Sequence, residues 1–217
     1  WGARTALLVA LATTLASPPS VEADTRGRFL LPARAGAVVV RVTKPGFTSV
    51  DRLAVATSDA VVTLLDARLT VVEAPRAVIT PGSGGVAANA RGDVTLNAPA
   101  GVVAADTPVS LTALSNQGLA GRLPPGWSPV FAVDVEPAVS LSSPATLTMP
   151  VLDPLLAPGA DVALARYDAA AFAWRVVAPA RVSADGKTIT GTVEVTGQYA
   201  EEVIGIPFPR GACPRPG

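Results

Sequence analysis

No histidine occurs among the 217 residues. That absence removes Ser-His-Asp and Cys-His nucleophile activation, imidazole zinc sites and the side chain that most readily switches charge near neutral pH. The single cysteine, Cys213, allows no intrachain disulfide. It lies in the tail Gly211-Ala212-Cys213-Pro214, far from any candidate base, and reads as an incidental thiol or as half of a bridge in a longer parent chain. Charge is scarce as well. Charged residues make up 16% of the chain, with 17 basic against 17 acidic and a net charge of zero. Only Lys44 and Lys187 are lysines, and no basic stripe exists to start nucleic-acid binding. The longest apolar run, residues 6–16 (ALLVALATTLA), falls short of the ~20 residues that span a bilayer.

What is present points to an all-β chain. Hydrophobic residues make up 49% of it, ample for a core. The 21 prolines and 19 glycines are spread along the sequence, as many short strands joined by tight turns require. Residues 37–43 (AVVVRVT) form a β-branched run of strand length. Lys44-Pro45-Gly46 ends it, because proline cannot donate to a ladder and glycine accepts turn dihedrals. Strands are also predicted over residues 29–32, 50–56 and 61–70. Beyond the turn-rich stretches Ala74-Pro75-Arg76 and Pro81-Gly82-Ser83-Gly84-Gly85, a second series is predicted at 93–97, 108–114, 128–136, 145–151, 161–168, 174–178 and 188–195. No segment sustains helical spacing with a cap and a stop. The N-terminal stretch has two readings. Residues 6–16 suit a signal-peptide apolar region behind Arg4, with a cleavage site near Ala16-Ser17; alternatively residues 5–11 are a first strand. Opening on Trp1 rather than Met reads as a fragment or a processed product.

The strings Glu22-Ala23-Asp24-Thr25-Arg26-Gly27-Arg28-Phe29, Pro32-Ala33-Arg34-Ala35-Gly36 and Val40-Arg41-Val42-Thr43-Lys44-Pro45-Gly46-Phe47 resemble, in order, the motifs of a carboxypeptidase regulatory-like domain. The resemblance covers residues 21–72, with Gly2-Ala3 in the place of the family's earlier Gly-Ala pair, and it implies a prealbumin-like β-sandwich. A second resemblance begins with Ala98-Pro99-Ala100-Gly101-Val102-Val103 and Thr107-Pro108-Val109-Ser110-Leu111. It continues through residues 133–137 (VDVEP), Ser143-Pro144-Ala145-Thr146-Leu147, Arg166-Tyr167-Asp168 with Trp174, and Thr196-Gly197-Gln198-Tyr199-Ala200. Together these resemble a ZU5-like β-sandwich over residues 90–203.

The resemblances imply two β-sandwich domains in tandem: residues 1–72, a linker at 73–89, residues 90–203, and a Pro/Gly-rich tail at 204–217. Such pairs occur in large modular bacterial surface proteins, the ZU5 fold serves animals as a protein-interaction module, and neither family is catalytic. The expected function is therefore a non-enzymatic structural or interaction module (spacer, adhesion or protein–protein contact) of a secreted or cell-surface bacterial protein. Its partners would be other domains of the same parent chain or surface proteins, with no cofactor, no nucleic acid and no membrane-spanning segment. The alternative is an accessory carbohydrate- or substrate-binding module of an extracellular enzyme.

Few residues suggest chemistry, and none suggests catalysis, a cofactor or a metal. Arg91-Gly92-Asp93 offers a guanidinium and a carboxylate about a flexible residue, the tripeptide integrins read on a hairpin tip; the simpler account is a polar turn before the strand that opens at Val94. Trp127, in Pro124-Pro125-Gly126-Trp127-Ser128-Pro129, could stack on a sugar ring if exposed, or cover the end of a core. Asp134 and Glu136 share a strand face by their i, i+2 spacing and read as sheet-surface charges, since calcium wants 6–8 oxygen ligands from a clustered loop. Trp174, Tyr167, Phe131 and Tyr199 read as core, and Asp185-Gly186-Lys187 as a hairpin turn.

Overall fold

The computed structural model describes residues 7–11 (backbone), 19–64 and 67–202, and all its regular structure is β. Among the described residues no helix is long and apolar enough to cross a membrane. Arg4, the Ala16-Ser17 site, Gly2-Ala3 and the Cys213 tail lie outside these residues. Residues 7–11 form a strand.

A small antiparallel sheet comes first: β1 (Leu7–Leu11), β2 (Ser20–Glu22), β3 (Gly36–Thr43) and β4 (Val50–Ala56), in the order β2-β1-β3-β4. The period-2 alternation of β3 buries Val38, Val40 and Val42, and these join Val50 and Ala23 in a core. What covers that core departs from expectation. Residues 29–32 and most of 61–70 are not strands but irregular chain. They lay Leu31, Leu64, Ala67 and Leu69 over the valines. Thr48 N–H donates to the Thr70 carbonyl (2.8 Å) and Val72 N–H to the Gly46 carbonyl (3.0 Å), so the covering chain is tied to the β3–β4 loop. The valine row needs apolar area over it, and these segments supply side chains without forming a ladder. The first unit is thus one sheet under an irregular cover.

The large sheet holds β5 (Ala77–Ile79), β6 (Gly85–Ala88), β7 (Thr95–Ala98), β8 (Thr107–Ala113), β9 (Pro129–Glu136), β10 (Ser140–Pro150), β11 (Asp161–Asp168), β12 (Ala173–Val182), β13 (Thr188–Val195) and β14 (Gln198–Glu202). Its order is β5-β8-β9-β14-β11-β12-β13-β10-β7-β6, with antiparallel pairing throughout. The end strands β5 and β6 approach each other through the turn between them, where Thr80 and Gly84 exchange hydrogen bonds of 3.1 and 2.9 Å. The sheet therefore nearly closes on itself. Gly84 has φ +68°, and a Cβ there would stand 2.1 Å from the Ala98 carbonyl oxygen, so only glycine fits. Residues 73–89, expected as a linker, instead supply both of these strands.

Inside, Leu96, Leu111, Leu147, Met149, Leu164 and Ile189 are essentially inaccessible. Each contributes on the order of 1.5–3 kcal/mol by burial. Trp174, Tyr167 and Tyr199 are buried as expected, and Phe131 packs partly buried against the main core. The Asp185-Gly186-Lys187 turn joins β12 to β13, with Gly186 at φ +71°.

Candidate interaction site where the two sheets meet

Arg41 on β3 and Asp51 on β4 are register partners, so alternation places both side chains on the same sheet face. Arg41 holds the Asp51 carboxylate with both ends of its fork, Nε to Oδ1 at 2.7 Å and Nη2 to Oδ2 at 2.8 Å. From the large sheet, the Tyr167 hydroxyl donates to Asp51 Oδ2 at 2.8 Å. Main chain adds to this, with Asp51 N–H donating to the Ala120 carbonyl at 2.5 Å. Arg41 also reaches the Ala169 carbonyl (3.4 Å) and lies 5.7 Å from the Phe172 ring centroid.

Arg52 points to the other face and is 7% exposed. Its Nη1 donates to the carbonyls of Asp51 (2.9 Å), Leu119 (3.1 Å) and Ala120 (3.3 Å), and its Nη2 to Gln117 (3.0 Å). A guanidinium carries five donors in a rigid fork and suits such a convergent set of oxygens.

The 117–121 segment that receives these bonds is itself fixed. Trp174 Nε1 donates to the Gly121 carbonyl at 2.9 Å, and the Gln198 side-chain oxygen accepts from Ala120 N–H at 2.8 Å. A Cβ on Gly121 would lie 2.5 Å from Tyr167 Cε2, so the close approach requires glycine. The hydrogen bond to Asp51 raises the Arg41 pKa above its ordinary value. Burial first, and then the hydrogen bond to Asp51, raise that of Tyr167.

Gln198 Nε2 continues the chain of contacts to Asp134 Oδ2 at 3.3 Å. Here the sequence reading is corrected. Asp134 is not a sheet-surface charge: it is 6% exposed, and burial, with Glu136 nearby, pushes its carboxyl up to about 7. Glu136 is half-buried and is also raised by burial. The cause is the layer over this face. Thr112, opposite Asp134 in register, accepts from Glu73 N–H (3.0 Å), and the 117–121 segment lies over Gln198.

Beside the junction opens a cleft of about 410 Å3, lined by Arg52, Asn116, Gln117, Arg122, Leu123 and Pro129 among others. Trp127 belongs to the neighbouring loop. It is half-buried, packs against the cluster holding Tyr167 and Trp174, and does not line the cleft. Arg91, Gly92 and Asp93 sit in the turn between β6 and β7, with Gly92 exposed at φ +72°. The Asp93 carboxylate is occupied: Arg91 Nε reaches it at 3.1 Å and Asn89 Nδ2 at 2.7 Å. The tripeptide is folded onto itself. Neither Trp127 nor this turn joins the Asp51 constellation. Among the described residues no three acids or cysteines gather as a metal site would require.

A second set of buried charges lies at the end of β14. Glu201 and Glu202 are both inaccessible, and their four carboxyl oxygens have no hydrogen-bond partner among the described residues. Glu201 stands opposite Phe131 and Leu164, and burial pushes it up to about 8. Glu202 stands opposite Pro129 and Ala163 and is pushed up to about 7 by the same cause.

Sequence reasoning passed over Arg41, Asp51 and Arg52. The available signal was charge inside two short apolar strands (AVVVRVT and VDRLAVA) joined by one loop, where alternation already places the residues on faces. No family model matches the chain, and no curated protein matches it.

Proposed function

We propose that this chain is a non-catalytic structural and interaction module of a larger secreted or cell-surface protein, acting as a rigid spacer that presents loops and strand edges. The carrying observation is the junction, where a bidentate Arg41–Asp51 pair, the Tyr167 hydroxyl and the Arg52 fork bind one sheet to the other. A charged group that has lost water and filled its hydrogen-bonding capacity tolerates few other geometries. Two units fixed in this way hand position and force from one end of the chain to the other. The extracytoplasmic setting rests on the resemblance to carboxypeptidase regulatory-like and ZU5-like domains.

Rotational correlation times from backbone amide relaxation test the spacer reading. Amides of β3 and β4 should share one tumbling time with those of β10 and β13, and Arg52→Ala should separate the two. Two distinct times in the unmodified chain would overturn it.

A second reading, an accessory module for polar ligands such as glycans, draws on the cleft. Its Arg122 guanidinium and the Asn116 and Gln117 carboxamides stand beside Leu123 and Pro129, a polar set against an apolar wall. Titration with acidic and neutral oligosaccharides, followed at the Asn116 and Gln117 side-chain amides, decides it; unmoved signals would dismiss it.

A further inference from the structure

The cleft beside the junction has a one-sided chemistry. Segment 117–121 turns its oxygens inward: Arg52 takes the carbonyls of Gln117, Leu119 and Ala120, and Trp174 Nε1 takes that of Gly121. The flanks of the segment offer the cleft mostly donors. The Asn116 and Gln117 carboxamides are exposed, and the exposed Arg122 guanidinium has no partner among the described residues. Arg28, Arg41, Arg91 and Arg175, by contrast, each hold an aspartate at 3.1 Å or less. Two guanidiniums and no acid occur among the described residues lining the cleft. Charge of one sign along a concave surface concentrates ligands of the opposite sign.

We propose that this cleft binds an acidic sugar, with Arg122 paired to the carboxylate of a uronate residue. A guanidinium fork matches a planar carboxylate through two parallel hydrogen bonds. Each carboxamide both donates and accepts, as neighbouring ring hydroxyls require. Leu123 and Pro129 supply an apolar wall for the C–H face of a pyranose, and about 410 Å3 lies in the range of small-ligand sites. The direction of the carbonyls decides between a sugar and an acidic peptide. An extended peptide brings main-chain N–H groups that need acceptors. The oxygens of 117–121 that would serve are turned to Arg52 and Trp174 instead. The same bonds, with Ala120 N–H on Gln198, fix this wall before a ligand arrives, so binding bears little ordering cost. The assignment deepens the ligand-module reading and rests on it.

Galacturonate and glucuronate trisaccharides, their methyl esters and hexaglutamate separate the outcomes, with binding to the full chain read by calorimetry and at the Arg122 Nε–H resonance. At low salt one of the two acids should bind about tenfold more tightly than its uncharged ester, and about 1 M salt should erase most of that margin. Arg122→Gln, at an exposed side chain outside the junction bonds, should bring the acid down to its ester and leave the ester unchanged. Arg76→Gln, at an exposed arginine outside the cleft lining, should change neither. Acid and ester bound alike would overturn the carboxylate pairing and leave the glycan reading standing. Hexaglutamate bound as tightly as the acid, or an acid indifferent to Arg122→Gln, would overturn the assignment too. No binding of either acid or either ester would dismiss it together with the glycan reading.

Discussion

At the junction of the two sheets and at the end of β14 the protein buries charged side chains in opposite ways. Asp51 accepts from Arg41 and Tyr167, and Arg52 donates to four carbonyls. Glu201 and Glu202 find no partner among the described residues. The same loss of water is therefore answered by hydrogen bonds in one place and by retained protons in the other. Buried charge by itself says nothing about stability, and its partners decide the sign. At the junction removal should hurt; on β14 it should help.

The largest effect should come from Arg52→Met, which keeps much of the side chain's volume and strips the donor from the Gln117, Leu119 and Ala120 carbonyls. Urea unfolding should show a loss of about 3–5 kcal/mol, as for other broken buried charge sites. A loss within ordinary surface scatter would make the junction no different from the β14 end.

Next is pH. A carboxyl whose folded pKa lies above its unfolded value binds more protons folded, so stability falls as pH rises between the two values. For Glu201 that window runs from 4.5 to about 8, and for Glu202 from 4.5 to about 7. Asp134 and Glu136 act in the same direction. The Asp24, Asp168 and Asp185 carboxyls are held low, chiefly by hydrogen bonds to main-chain N–H groups or to Ser183, and matter only in acid below their ordinary value of 3.8. Stability should therefore drop from pH 5 to pH 8, with Glu201 and Glu202 each adding up to about 1.4 kcal/mol per pH unit within its window. Melting temperatures across that range check it, and a flat or rising profile would contradict the protonated glutamates.

Tyr167→Phe sharpens the junction side alone. It removes one donor to a charged acceptor while keeping the ring against Trp174, and should cost about 1.5–3 kcal/mol in urea unfolding. The smallest effect belongs to the exposed pair outside both regions. Arg91→Ala should shift stability by less than about 0.5 kcal/mol, because Arg91 is 79% exposed and Asp93 keeps Asn89.

These contrasts also mark what the sequence made legible. Strands with uninterrupted alternation were readable: 37–43 and 50–56 match β3 and β4 to within a residue, and 161–168 and 188–195 coincide with β11 and β13. The 61–70 stretch carries the same β-branched composition, but its described residues, 61–64 and 67–70, cover a core instead of joining a ladder, and composition does not separate those roles. The glycine-rich 81–85 stretch looked like linker because its meaning is tertiary: Gly84 is required by the Ala98 carbonyl beside it. The aromatic core was visible. The junction was not, because Arg41, Asp51 and Tyr167 are brought together across 116 positions, and only the fold makes their distance short. Asp134 looked like a surface charge for a related reason: its strand shows both faces, and nothing local tells which face is covered.

The most direct test sets the two regions side by side. Asp51→Asn and Glu201→Gln each convert one buried acid to its amide, and their urea midpoints at pH 8 should move in opposite directions. Asp51→Asn should lower the midpoint by leaving Arg41 without its anion, while Glu201→Gln should raise it by removing a carboxylate that has no partner. Shifts of the same sign would contradict the distinction on which this reading of the junction depends.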